Sequence, residues 1–190
     1  MNKKAEIKKI VKDVCEKDGN MQWEMHVTPV LINAMKLAEV LKADKEVVEI
    51  SVYLHDIARI SGKPKDHHIE GAKMAEEILT KLNYPKPLIE KVKYCILNHG
   101  SSFKECKTLE SKILLSADAM AHLDTVPGLL WVAVSDSKMN FKDAFDWVDR
   151  KIEKAWNKKI QLPEAKEMAK FKHEAARLVL DSSRRYLYGN

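Results

Sequence analysis

The 190-residue chain contains only 6 Gly and 6 Pro. That is too little turn material for a fold of many short strands, and too little for a low-complexity or fibrous chain. Three Cys (Cys15, Cys95 and Cys106) stand at unpatterned spacings with no Cys-x-x-Cys. An odd, unpatterned set argues against a disulfide framework and for a reducing compartment. No run of about 18 apolar residues occurs, so no membrane span is expected. The opening Met1-Asn2-Lys3-Lys4-Ala5-Glu6 leads into a charged helix and not an apolar leader, and a cytoplasmic location is the expectation. Gly-rich phosphate loops, Gly-x-Ser-x-Gly elbows and cysteine-nucleophile motifs are absent as well.

Arginine is scarce. The net charge of +5 rests on 33 basic residues, of which 28 are Lys and 5 Arg, interleaved with Asp and Glu along the whole chain. Such a pattern describes a salt-bridge-laced surface. A nucleic-acid groove needs a cluster, preferably of Arg with interleaved aromatics, so no specific nucleic-acid partner is expected and an anionic ligand is only mildly favoured.

What is present is helical periodicity. The apolar spacing predicts helices over Ala5–Glu16, Trp23–Leu41, Asp44–Ala58, His67–Leu82, Pro85–Asn98 and Leu109–Leu123. A short apolar helix after Pro127 and two final helices, Phe141–Lys158 and Pro163–Tyr188, complete the set. Thr28-Pro29 fixes the start of the second helix close to His26, because Pro is tolerated only in a first turn. Asp44, Asp66 and Thr108 are the expected N-caps, and Gly100 the expected stop of the Pro85 helix. The 44–58 helix is apolar on most faces and therefore central. No alternation longer than four residues suggests a strand. The expected class is all-α, a bundle of eight or nine helices, with residues 1–135 as the core and 136–190 as C-terminal helices packed on it.

Five of the seven His (His26, His55, His67, His68 and His99) fall at helix beginnings or ends. Helix ends on one side of a bundle can converge on a cavity, where bundles build cofactor sites. His55-Asp56 closes the most buried helix. Adjacent helical residues point about 100° apart, yet one ion between the two directions can take both side chains. The alternative is a His-Asp pair that only hydrogen-bonds to itself. Asp118 sits among Leu114-Leu115-Ser116-Ala117 and Ala119-Met120-Ala121, where burial of a carboxylate is costly unless it is paired or metal-bound. A solvent-facing Asp is the other possibility.

Taken in order, His26, His55-Asp56, His67-His68, His99 and Asp118 lie on successive helices. The segments His26-Val27-Thr28-Pro29-Val30, Tyr53-Leu54-His55-Asp56-Ile57-Ala58-Arg59, His67-His68-Ile69-Glu70-Gly71-Ala72, Leu97-Asn98-His99-Gly100 and Ser116-Ala117-Asp118-Ala119-Met120 resemble the HD-domain superfamily of metal-dependent phosphohydrolases. The resemblance runs from about Trp23 to Asp124. It implies an all-helical core and one ion held by His26, His55, Asp56 and Asp118. In the two-metal subset Asp56 bridges to a second ion held by His99 and one of His67 and His68, with His67 in the better register to Gly71. Imidazole and carboxylate donors suit a divalent transition metal (Mn, Fe, Co, Ni or Zn).

The implied reaction is hydrolysis of a small phosphate ester, a nucleotide foremost, with water as the nucleophile and Asp56 orienting or deprotonating it. Arg59, four residues after His55, is expected to hold the phosphate, since its fork suits two phosphate oxygens. A bare i,i+3 ion pair with Asp56 is the competing account. A di-iron oxygenase on the same fold, or a metal-binding regulatory module without turnover, are the rival functions. Trp131, Phe141, Phe145, Trp147 and Trp156 are read first as core residues joining the last helices to the bundle, and second as walls of a base-binding pocket.

Overall fold

The computed structural model describes residues 2–18, 21–100 and 106–189, and among these every regular element is helical. The elements are α1 (Lys3–Cys15), a wide π-type turn (Trp23–Val27), α2 (Thr28–Val40), α3 (Lys45–Leu54), α4 (Ile57–Ile60), α5 (His67–Lys81), α6 (Lys86–Asn98), α7 (Leu109–Asp124) and α8 (Val126–Trp131). A second π-type turn (Val132–Asp136), α9 (Phe141–Lys154), a third such turn (Ala155–Lys159) and α10 (Pro163–Tyr188) follow. No helix is long and apolar enough to cross a membrane among the described residues.

The bundle is organised around α7. Ala117, Ala119 and Ala121 are fully buried there with Ile113, Leu114, Leu115 and Met120. Small side chains let neighbouring backbones approach from several directions. Helices α2, α3, α6 and α10 all pack on α7, as does the turn after α9. Asp118 is carried on this buried helix and is 5 % exposed, so the solvent-facing alternative is wrong. Helix α3 is the second central element, with Val47, Val48, Ile50, Val52 and Leu54 buried.

Of the boundaries that differ from the sequence expectation, two place candidate ligands. The helix from Asp44 does not run to Ala58. It ends at Leu54, Asp56 departs from helical backbone (φ −108°, ψ 13°), and α4 resumes at Ile57. The helix expected from Trp23 begins as a wide turn in which Thr28 N–H donates to Trp23 O, and α2 proper starts only at Thr28. Wide turns of this kind occur preferentially at functional sites.

Asp44 and Thr108 cap as expected, their side chains accepting from Val47 N and Ser111 N. Asp66 does not. It adopts left-handed backbone (φ 48°) and its side chain makes no cap, the carbonyl instead accepting from Ile69 and Glu70 N–H. The left-handed step spends the capping geometry on turning the chain into α5. Gly100 likewise lies outside left-handed backbone. Of the C-terminal aromatics, Phe145 is buried, and Trp147 and Trp156 pack against the core. Phe141 and Trp131 are 58 % and 39 % exposed, so the core reading fails for these two.

Candidate metal centre

Each candidate ligand reaches the centre through a local feature of its element. His26 lies on the wide turn ahead of α2. His55 and Asp56 occupy the break between α3 and α4, where the change in backbone direction turns two adjacent side chains toward one space. His67 opens α5, whose approach is close: a Cβ at Gly71 would lie 3.4 Å from His55 O. His99 follows the last residue of α6. Asp118 comes from mid-α7.

These side chains converge. His26 Nε2 lies 3.0 Å from His55 Nε2, 3.4 Å from Asp56 Oδ2 and 3.5 Å from Asp118 Oδ1. Asp56 Oδ1 faces His67 Nε2 and His99 Nε2, each at 3.5 Å. Donor atoms of His26, His55 and Asp118, and of His55, Asp56 and His99, each lie within 4.8 Å of one another. His55 is common to the two groups, and Asp56 turns Oδ2 toward His26 and Oδ1 toward His67 and His99. His68 is not brought to Asp56 within ion-pair distance; a Cβ at Gly100 would meet its ring at 3.5 Å.

The chemistry of the donors tests whether a cation fits. His55 Nδ1 is 2.7 Å from Val52 O and His99 Nδ1 is 2.5 Å from Ile96 O. A ring nitrogen facing a carbonyl must carry the proton, so Nε2 of each neutral ring presents a lone pair. The Nε2 of His99 is buried and has no hydrogen-bond partner among the described residues. Buried polar atoms are seldom left unmatched. Converging imidazole lone pairs and two buried carboxylates fit a divalent transition metal.

Burial shapes the electrostatics of the site. Burial lowers His55 to about 4 and His122 to about 3, favouring the neutral rings that ligation needs. Burial also lowers His67. Burial pushes the Asp56 carboxyl up, but His55, His26, His99 and Arg59 outweigh it and hold it well below the usual carboxylate range. Asp118 is likewise pushed up by burial and held far down by Lys159, His122, His26 and His55. Both carboxylates are ionised.

Arg59 takes its place at the centre, and two lysines and one histidine join the candidates. Arg59 Nη1 donates to Asp56 Oδ2 at 3.2 Å. Lys159 Nζ donates to Asp118 Oδ2 at 2.8 Å and to His99 O at 3.4 Å. Lys151, its pKa lowered by burial, lines the same polar cavity of about 450 Å³ with Asp56, Arg59, His67, Asp118 and Lys159. His122 Nε2 stands 4.0 Å from Asp118 Oδ1. Its position four residues after Asp118 was a usable signal, since that spacing shares a helical face. Nothing in the sequence marked Lys151 or Lys159 among 28 lysines.

A family model, HD domain, matches residues 24–123. The chain belongs to the HD domain family. The matched segment holds His26, His55, Asp56, His67, His99 and Asp118, and ends before Lys151 and Lys159. Among solved structures, the crystal structure of a predicted HD superfamily hydrolase from an uncultured Thermotogales bacterium shares the fold, with a TM-score of 0.62 and 22 % identity over 96 % of this chain and 90 % of that one. No curated protein matches the chain. Membership in the HD family together with this donor set supports a metal-dependent hydrolase in general.

Proposed function

We propose that the protein is a metal-dependent phosphohydrolase acting on a small phosphate ester, a nucleotide foremost, in the cytoplasm. One observation carries the reading: the cavity that holds the imidazole and carboxylate donors is also lined by Arg59, Lys151 and Lys159. An oxygenase has no need of three cations at its centre, whereas a phosphate carries charge that they match.

In this reading His26, His55, Asp56 and Asp118 hold one ion, and His67 and His99 hold a second with Asp56 between. Bound divalent ions supply Lewis-acid activation of water and neutralise phosphoryl oxygens. Asp56, ionised and central, orients the attacking water or takes its proton. Arg59 and Lys151 hold the phosphate. Lys159, hydrogen-bonded to Asp118 and the His99 carbonyl, positions that carboxylate. Burial of His55, Asp56 and Asp118 strengthens the interactions these groups make.

The test is metal analysis of purified protein beside a screen over nucleotides and generic phosphate esters, with and without oxygen. Phosphate release that needs the metal and not oxygen is expected. Turnover only with oxygen would establish the di-iron alternative. Stoichiometric metal with no turnover of any phosphate would leave a regulatory module.

A further inference from the structure

Helix α10 is apolar on two faces. Ala165, Ala169, Ala176 and Leu180 are buried against the bundle. On the outward side Phe171, Leu178, Val179 and Tyr186 are 61–89 % exposed. A surface helix normally turns one apolar stripe inward and keeps charge outside. Four large apolar side chains gathered on an outward face form a patch of the kind that a partner covers. The patch continues into an open groove of about 420 Å³ between α10 and the corner of α7 and α8. Leu123, Val126 and Leu130 line the groove from that corner, and Phe171 and Val179 line it from α10. A face that carries both protruding side chains and a recess suits a two-fold interface, where one surface must serve as both halves.

The spacing of the outward residues decides which partner fits. Phe171 and Leu178 are seven residues apart, and Ala175 and Ser182 follow them by four. Such alternation is the seam of a two-stranded coil. One flank of the seam is an acidic row, Glu167, Glu174 and Asp181, and the other is Lys172, Val179 and Tyr186. In a parallel pair each flank meets the opposite flank of the second copy. Glu167 then meets Lys172, Glu174 meets Val179, and Asp181 meets the Tyr186 hydroxyl, a donor. An antiparallel pair would set acidic row against acidic row. Within the chain Lys172 is paired with Asp124 and Asp181 with Arg177. An ammonium has three donors and a carboxylate two oxygens, so each keeps capacity for a second partner. The acidic row also disfavours a membrane, because helices that lie on anionic lipid carry Lys and Arg along the polar face.

We propose that the outward face of α10 is the seam of a parallel, two-fold symmetric homodimer, with the adjoining groove closed by the second copy. None of the candidate metal ligands lines that groove.

Light scattering on the full chain at rising concentration should give twice the mass of one chain. Leu178→Glu puts a charge into the seam twice per dimer and should raise the dissociation constant by about a hundredfold or more. Circular dichroism and metal content should stay unchanged in that variant, because Leu178 is exposed in the single chain. Ser182→Cys reads the orientation. In the parallel pair the two introduced thiols face each other, and a short bis-maleimide should join the chains. Cys15, Cys95 and Cys106 are buried, so the wild type should give no such product. A single-chain mass up to about 100 µM would overturn the seam, and binding of that monomer to phosphatidylserine vesicles would assign the face to lipid. A dimer indifferent to Leu178→Glu would place the interface elsewhere and overturn it too. A dimer that Leu178→Glu dissolves but that fails to cross-link in Ser182→Cys would overturn the parallel register.

Discussion

Lys159 Nζ lies 2.8 Å from Asp118 Oδ2, leaving Oδ1 to face His26 Nε2 at 3.5 Å. The lysine therefore fixes the rotation of the carboxylate and commits one oxygen to itself and one to the centre. Removing it leaves a buried carboxylate without its partner, which typically costs about 3–5 kcal/mol. Lys159→Met should accordingly lower Tm strongly in chelator, and much less when metal is present to supply the lost positive charge. Metal affinity should fall about 10- to 100-fold, the usual loss for a partner that orients a ligand. Equal drops in Tm with and without metal would show a purely structural lysine.

Asp56 stands between both ligand groups, with its oxygens facing His26 on one side and His67 and His99 on the other. Asp56→Ala should strip the metal and abolish phosphate release. The fold should survive, because Ile50, Leu54, Ile113, Leu114 and Leu115 form an apolar core independent of the ion. Metal analysis and circular dichroism on the same sample check this. Full occupancy in the variant would remove Asp56 from the ligand set.

The duplicated histidines give a direct test of nuclearity. His67 Nε2 faces Asp56 Oδ1 at 3.5 Å, while the His68 ring lies beside Gly100. His67→Ala should reduce the metal content from two ions per chain to one, and His68→Ala should leave it unchanged. Loss of metal in the His68 variant alone would shift the register by one. No loss in either would make the protein mononuclear.

The order of the candidate residues and the all-helical class were legible because the candidate histidines sat at the ends of strongly periodic segments. What periodicity does not carry is the local break. A uniform helix through Ala58 would have splayed His55 and Asp56 apart, and nothing in Leu54-His55-Asp56-Ile57 announces the change of backbone at Asp56. The wide turn at His26 is equally silent. Asp118 was legible through its apolar neighbours, and His122 only through its spacing from Asp118. Lys151 and Lys159 reach the centre from the end of α9 and the turn after it, by tertiary packing on α7. A long-range contact of that kind leaves no local pattern. The aromatic cluster was partly legible: Phe145 went into the core, while Trp131 stays 39 % exposed.

Cys95 supplies a pH test away from the centre. Burial pushes its thiol up to about 12 from an ordinary 9. The folded state thus favours the protonated thiol. The associated stability is complete below pH 9, and is lost as pH rises from 9 toward 12, where the unfolded chain ionises and the folded chain does not. The slope is at most about 1.4 kcal/mol per pH unit. Urea unfolding with reductant at pH 8, 9 and 10 should show wild-type stability falling more steeply than that of Cys95→Ala. Parallel declines would assign the alkaline loss to other groups.

Arg59 poses the sharpest question about catalysis, because its guanidinium already has a partner. Its Nη1 donates to Asp56 Oδ2 at 3.2 Å, yet the side chain remains 37 % exposed and lines the polar cavity. An i,i+3 ion pair so open to water contributes little to stability. A donor aimed at developing phosphate charge, by contrast, lowers the barrier substantially. Arg59 is not a ligand, since a guanidinium has no lone pair to offer at ordinary pH. Arg59→Ala should therefore retain its metal and its Tm while losing about a hundredfold in kcat/KM, the typical effect of one such donor. Arg59→Lys should recover only part, because a point charge cannot fork onto two oxygens. Lys151→Gln should weaken KM and add to the loss. The assay is kcat/KM on an accepted phosphate ester with metal measured on the same preparations. Near-native turnover in Arg59→Ala would reduce the residue to its ion pair with Asp56 and pass the phosphate to Lys151.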